Sequence, residues 1–195
     1  MTKIALFGTS ADPPTTGHQQ ILLWLTHHFD HVVVWASDNP FKSNQTDLQH
    51  RTAMLQILIN EIKSSKPNID AYQHLSNRRT IKTLTSAQQQ WPDAEFTLVI
   101  GSDLIQQIQG WYQVKNLLKQ VKLLVVPRPG YPVDEQDLAA LEQLTTTVVI
   151  ASMNGLAVSS TDVRDTGDDN ALTPAVLAYI HQEHLYEFTS SENSA

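Results

Sequence analysis

Two short segments, far apart in the chain, carry side chains of the kind that hold phosphate. The first reads Phe7-Gly8-Thr9-Ser10-Ala11-Asp12-Pro13-Pro14-Thr15-Thr16-Gly17-His18. It follows an apolar run, is rich in small residues, and leads into a stretch with helical spacing. Gly8 lets backbone come close to a ligand, and Gly17 opens the helix without a blocking side chain. The amides of a helix start attract anions, and His18 stands in that first turn, where its ring reaches a phosphate oxygen. The second segment reads Val158-Ser159-Ser160-Thr161-Asp162-Val163-Arg164. Ser159 followed by Asp162 is a capping-box-like helix start. The hydroxyls and first amides of that helix suit β- and γ-phosphates, and Arg164 supplies charge to neutralise them. Neither segment is a Gly-Lys-Ser/Thr phosphate loop or a GxGxxG turn. Each alone has a plain account, a proline- and threonine-rich turn in one case and a capped helix in the other.

The elements that must position these residues alternate. Strand-like runs occupy Lys3 to Phe7, His31 to Ala36, Phe96 to Ile100, Lys122 to Val126 and Thr146 to Ala151, with a weaker one at Ile69 to His74. Helical spacing occupies Gly17 to His28, Thr46 to Ile62, Ile81 to Gln90, Leu104 to Gln109 and Val114 to Gln120. In the second of these, Leu48, Leu55, Ile59 and Ile62 share a face with Thr52. Alternating strands and helices predict an α/β fold, a Rossmann-like doubly wound parallel sheet with helices on both faces. The runs LVI and LLVV are continuously apolar, as strands covered on both faces are. The chain then ends in helix, a first turn at Ser160 to Arg164 and a last helix from Pro174 to Glu183, with proline in its first turn. Ligands of such sheets bind beyond the carboxyl ends of the strands, which is where the first segment falls.

Composition narrows the function. The chain has 195 residues, with 41% hydrophobic and 17% charged. That reads as one domain over residues 1–188 with a frayed polar tail at 189–195. No apolar run has the length of a membrane span, and the N-terminus lacks signal-peptide anatomy, which predicts a cytoplasmic protein with no membrane partner. Absence of cysteine excludes disulfides and thiolate metal sites. A formal net charge of −7 speaks against a nucleic-acid partner, but a few local cations suffice for a nucleotide pocket.

Thr15-Thr16-Gly17-His18 resembles the T/HxGH signature of the nucleotidyltransferase superfamily, and Ser159-Ser160-Thr161-Asp162-Val163-Arg164 resembles its ISSTxxR signature. The chain is more closely similar to bacterial nicotinate-mononucleotide adenylyltransferases over most of its length. Asn39-Pro40-Phe41-Lys42 resembles their NPPHK-like loop, His50-Arg51-Thr52-Ala53-Met54-Leu55 their HRxxML helix, and Ile100-Gly101-Ser102-Asp103 their IGAD segment. Arg79-Thr80-Ile81-Lys82-Thr83-Leu84 resembles YTxxTL, and Val126-Pro127-Arg128-Pro129-Gly130-Tyr131 resembles VxxRPGY. Trp111, eight residues after Asp103, matches the tryptophan of the acceptor site. The chain departs from the pattern at Thr15, where that family usually has histidine. It departs again at Thr9-Ser10-Ala11 in place of GTF, and at Arg79 in place of tyrosine.

The resemblance implies transfer of the adenylyl group of ATP to nicotinate mononucleotide, by in-line attack and without a covalent enzyme intermediate. It implies Thr15, His18, Lys42 and Arg164 as the catalytic donors and cations. Gly8, Thr9, Ser10, Gly17, Gly101, Asp103, Ser159, Ser160 and Thr161 would complete the ATP site. Lys42, Thr80, Trp111 and Arg128 would bind the acceptor, with a pyridinium ring stacked on the indole of Trp111. Mg²⁺ is expected on the ATP phosphates, with no dedicated protein metal site. Asp12 suits a metal-bound water or a turn cap equally. His27, His28 and His31 read as histidines at a helix C-terminus rather than metal ligands. Two other readings stand beside this one: pantetheine-phosphate adenylyltransferase, in which threonine is usual at position 15, and a nucleotide-binding regulator without catalysis. A homo-oligomer fits any of them.

Overall fold

The computed structural model describes residues 1–38, 45–145, 147–153 and 155–186. Six parallel strands form the sheet: β1 (Thr2–Thr9), β2 (His31–Ala36), β3 (Ile69–Ala71), β4 (Ala94–Gly101), β5 (Lys122–Val126) and β6 (Val148–Ile150). Their spatial order is β3-β2-β1-β4-β5-β6. The helices are α1 (Thr16–His28), α2 (Leu48–Lys63), α3 (Thr80–Gln90), α4 (Ile105–Ile108), α5 (Val114–Leu118), α6 (Glu135–Glu142), α7 (Ser160–Thr166) and α8 (Pro174–Gln182).

Side chains alternate across the sheet, so each strand feeds two cores. Ala5 and Phe7 pack with Leu22, Leu25, Leu55, Val163 and Ile180 on the face of α1, α2, α7 and α8. Ile4 and Leu6 pack with Leu84, Ile105, Leu117 and Leu141 on the face of α3 to α6. Val32, Val33 and Val34 are all at 0% exposure, which is why the strand sequences run apolar without alternation. Each side chain buried to this degree contributes roughly 1.5–3 kcal/mol, before the entropy of ordering it.

Strand order reverses direction at β1, which has β2 on one side and β4 on the other. The chain leaves β1 to one face and enters β4 from the other. A crevice therefore opens at the carboxyl ends of these strands, where Thr9 and Gly101 end them.

The expected elements recur with shifted ends. The weak run at Ile69 is a short strand, Ile69–Ala71, followed by a 3-10 turn over Gln73–Leu75. Helix α2 starts at Leu48 rather than Thr46. Its buried face includes Arg51, whereas Thr52 is half-buried with its hydroxyl donating to Leu48 O at 2.7 Å. Helix α6 was not anticipated from sequence. Asp134 caps it by accepting from Asp137 N at 2.7 Å, and Leu141 anchors it in the core. Its apolar stripe is too short to register as a period. Tail residues 187–195 lie outside the described residues, as does Thr146 at the start of the run before β6.

Candidate active site

His18 is the third residue of α1, and Thr15 is its N-cap. Thr15 N–H donates to His18 Nδ1 at 3.1 Å, and Thr15 Oγ1 lies 3.0 Å from the same nitrogen. This is a capping box in which an imidazole fills the place usually held by Glu or Gln. The contact sets the chemistry of the ring. Nδ1 accepts a backbone proton, so the proton of the neutral imidazole sits on Nε2. Nε2 lies 3.0 Å from Thr9 Oγ1 at the end of β1. The donor face of His18 is thus presented at the crevice, where an anion oxygen can take it. Thr15 is 1% exposed and its hydroxyl is turned to the ring, so its geometry orients His18.

Helix α7 is docked onto the same loop. Ser160 Oγ donates to Pro13 O at 2.7 Å, and Arg164 Nη1 donates to Asp12 O. Arg164 Nη2 also reaches Thr161 Oγ1 at 3.3 Å. A guanidinium has more N–H groups than these contacts use, so the cation serves the loop and an incoming phosphate together. Ser159 caps α7, accepting from Asp162 N at 3.0 Å while donating to Asp162 Oδ2 at 2.7 Å. The two helix starts touch through Gly17. A Cβ built there would stand 3.0 Å from Val158 Cγ2. The glycine is needed for close approach of the two signature segments.

Gly8 has a packing reason as well as its place in the turn. A Cβ there would meet the indole of Trp35 at 2.6 Å, across the β1–β2 register pair Gly8 and Trp35. Its smallness makes room for a core tryptophan. Ala11 is fully buried with φ 48°, a left-handed conformation that costs energy in a residue with a Cβ.

The loop is stapled from beneath by Arg51, from the HRxxML-like helix. It is 3% exposed. Its Nη1 donates to Ser10 O at 2.9 Å and Ser37 O at 2.8 Å, and its Nε donates to Thr46 O at 2.8 Å. Burial lowers its pKa, while Asp12 and Asp38 counteract this. Such a guanidinium remains charged at any physiological pH. Its signal in the sequence was a lone cation on the apolar stripe of α2.

Asp12 is 2% exposed, and its carboxylate is occupied by protein. Tyr186 donates its hydroxyl to Oδ1 at 2.6 Å, and Thr46 N donates to Oδ2 at 3.3 Å. Among the described residues no group of three or more His, Asp or Glu is placed to hold a metal ion. His28 instead stacks on Trp24 with centroids 3.7 Å apart, and His31 Nε2 lies 3.0 Å from Tyr72 OH.

At the end of β4, Asp103 and Arg128 form a pair. Arg128 Nη1 donates to Asp103 Oδ2 at 3.0 Å. The carboxylate folds over Gly101, where a Cβ would lie 2.3 Å from Asp103 Oδ1. Asp103 Oδ1 is buried without a hydrogen-bond partner among the described residues. Arg128, expected with the acceptor, is therefore tied to a residue expected with ATP. Thr80 opens α3, and Trp111 is half-buried against the core before α5. The Arg79 guanidinium sits 4.2 Å from the centroid of the Tyr112 ring, joining these two segments. They form a second group, separate from the phosphate-loop contacts. Beyond the end of β2, a cavity of about 430 Å³ is lined by Asp38, Leu48, Gln73, Ser76, Asn77 and Arg78. Lys42 lies outside the described residues.

Fold and site together define a nucleotidyltransferase, and residues 6–166 match the cytidylyltransferase-like family. A probable nicotinate-nucleotide adenylyltransferase of Synechocystis sp. is 42% identical to the chain, over 94% of it and 98% of the relative. Nicotinate-nucleotide adenylyltransferase of Bacillus subtilis is 27% identical over 96% of the chain and 100% of the relative. In fold the chain is similar to Plasmodium falciparum nicotinic acid mononucleotide adenylyltransferase complexed with NaAD. That match has a TM-score of 0.81 at 22% identity and covers 96% of this chain and 98% of the other. The chain belongs to the nicotinate-nucleotide adenylyltransferase family, within the cytidylyltransferase-like class.

Proposed function

We infer that the protein transfers the adenylyl group of ATP to nicotinate mononucleotide, giving nicotinate adenine dinucleotide and pyrophosphate. The observation that carries the reading is the joining of two distant donor sets. His18 Nε2 and the α7 start with Arg164 are fixed to one loop, through Gly17 against Val158 and Arg164 on Asp12 O. This is a site built for a polyphosphate, and the family supplies the acceptor.

A phosphate oxygen of the acceptor attacks the α-phosphorus of ATP. A new P–O bond forms while the bond to the α–β bridging oxygen breaks, and pyrophosphate leaves with that electron pair. The attacking oxygen is already anionic, so no general base is required. The protein contributes position and charge stabilisation. The Nε2–H of His18 donates to a phosphate oxygen as charge shifts. Arg164 and the α7 amides receive the departing phosphates. Lys42 would add a cation from the segment that follows β2 in sequence. Mg²⁺ would enter on the triphosphate and share its charge. The donors present fit this, being hydroxyls, amides and cations, with the Asp12 carboxylate occupied by Tyr186 and Thr46. Trp111 and Thr80 would take the pyridine end. A cytoplasmic location and small-molecule substrates fit such a reaction, as does a homo-oligomer.

The test is pyrophosphate release with ATP and Mg²⁺ against nicotinate mononucleotide, nicotinamide mononucleotide and 4′-phosphopantetheine. Release that is fastest with the nicotinate form is expected. Preference for phosphopantetheine, or silence with all three alongside ATP binding, would overturn the assignment.

A further inference from the structure

The phosphate loop is held by its carbonyls and by one buried carboxylate. Arg51 takes Ser10 O, Arg164 takes Asp12 O, and Ser160 takes Pro13 O. Asp12 is thus the residue whose backbone sets Arg164, yet nothing in its own segment holds its side chain. The hold comes from elsewhere in the chain. Tyr186, beyond the end of α8, donates to Asp12 Oδ1 at 2.6 Å across 174 residues of sequence. Burial and this hydrogen bond raise the pKa of the phenol, outweighing an opposing hydrogen bond with Thr46, so it stays a proton donor. The backbone takes left-handed conformations at His184 (φ 51°) and Tyr186 (φ 58°), a cost that a residue with a Cβ bears only where the surroundings fix it.

We propose that Tyr186 is a positioning residue for ATP: by holding the Asp12 carboxylate, it fixes the carbonyl on which Arg164 is set for the phosphates. This rests on the nucleotidyl-transfer reading of the site. Removing the phenolic oxygen leaves a buried carboxylate short of one donor. The loop then relaxes to rehydrate it, and Asp12 O moves away from Arg164. Acceptor residues Thr80 and Trp111 lie outside this chain of contacts, so the loss should fall on ATP alone.

The test compares full-length Tyr186→Phe with Tyr179→Phe. Tyr179 also hydroxyl-bonds, to His50 Nδ1 at 3.0 Å, but does not touch the loop. ATP affinity is measured by calorimetry with Mg²⁺ and no acceptor, well below each variant's melting temperature. KM values for ATP and for nicotinate mononucleotide follow. The expected result is a roughly tenfold weaker ATP Kd and KM in Tyr186→Phe, with the acceptor KM within about twofold, and neither changed in Tyr179→Phe. Unchanged ATP affinity in Tyr186→Phe would overturn the proposal. So would parallel loss for ATP and acceptor that merely tracks melting temperature. If the wild-type enzyme fails to turn over the acceptor, the functional reading falls, and the ATP Kd still decides the role of Tyr186.

Discussion

Val158 lies against Gly17 so closely that a Cβ on Gly17 would come within 3.0 Å of Val158 Cγ2 and 3.3 Å of Thr15 Oγ1. The contact is the hinge point between the two phosphate-binding segments. Gly17→Ala is therefore expected to push α7 off the loop, at a cost of about 1–3 kcal/mol from overpacking. Activity should fall with it, because Arg164 moves with α7. Pairing it with Val158→Ala should restore much of both. Assay of the two singles and the double measures the coupling. Additive losses would mean that the glycine is required for something other than Val158.

His18 holds two offices, and substitutions can separate them. His18→Ala removes the Nε2 donor and half of the capping box, so turnover should drop by about 10²–10³ and stability by about 1 kcal/mol. His18→Gln keeps an acceptor for Thr15 N–H, since glutamine is a usual capping-box partner. It should melt close to wild type and still be slow. A fast His18→Gln enzyme would leave the ring with a capping role only.

Trp111 should matter to one substrate. A pyridinium stacked on its indole is worth about 1–2 kcal/mol, so Trp111→Ala should raise the acceptor KM roughly 5- to 30-fold. The ATP KM should stay near its starting value, and Trp111→Phe should be intermediate. Steady-state kinetics with each substrate varied will show the split. An unchanged acceptor KM would place the indole in the core alone.

One histidine away from the site should govern part of the pH dependence of folding. Burial lowers the pKa of His31 below 6.5, outweighing the opposing pull of Asp70. The unfolded chain then binds a proton that the folded chain refuses. Stability from this group is complete above pH 6.5 and is lost as pH falls from there towards the folded-state value. Melting temperature should decline from pH 7.5 to 5.5, and His31→Gln should decline less. An identical slope in the variant would assign the loss to other groups.

Much of this was legible in the amino-acid sequence because it depends on local rules. Continuous apolar strands between amphipathic helices determine a parallel sheet covered on both faces. The end of β1 leading into Gly17 and His18, and the serine cap before Arg164, determine where phosphate donors are concentrated. What escaped the sequence was non-local. Asp12 suits a metal-bound water or a turn cap equally by sequence, and only the tertiary structure shows Tyr186 and Thr46 each donating to one of its oxygens. Gly8 shows a place in the turn after β1, but only the β1–β2 register reveals that Trp35 also needs its smallness. Arg51 belongs to the HRxxML-like segment, but only burial places it under three carbonyls. Arg128 was expected with the acceptor, and nothing local reveals that it reaches back to Asp103. Periodicity reports which face of an element is buried. It carries no record of which distant group will satisfy a buried charge, and tertiary packing alone decides that, since an unpaired carboxylate or guanidinium in the core is too costly to leave.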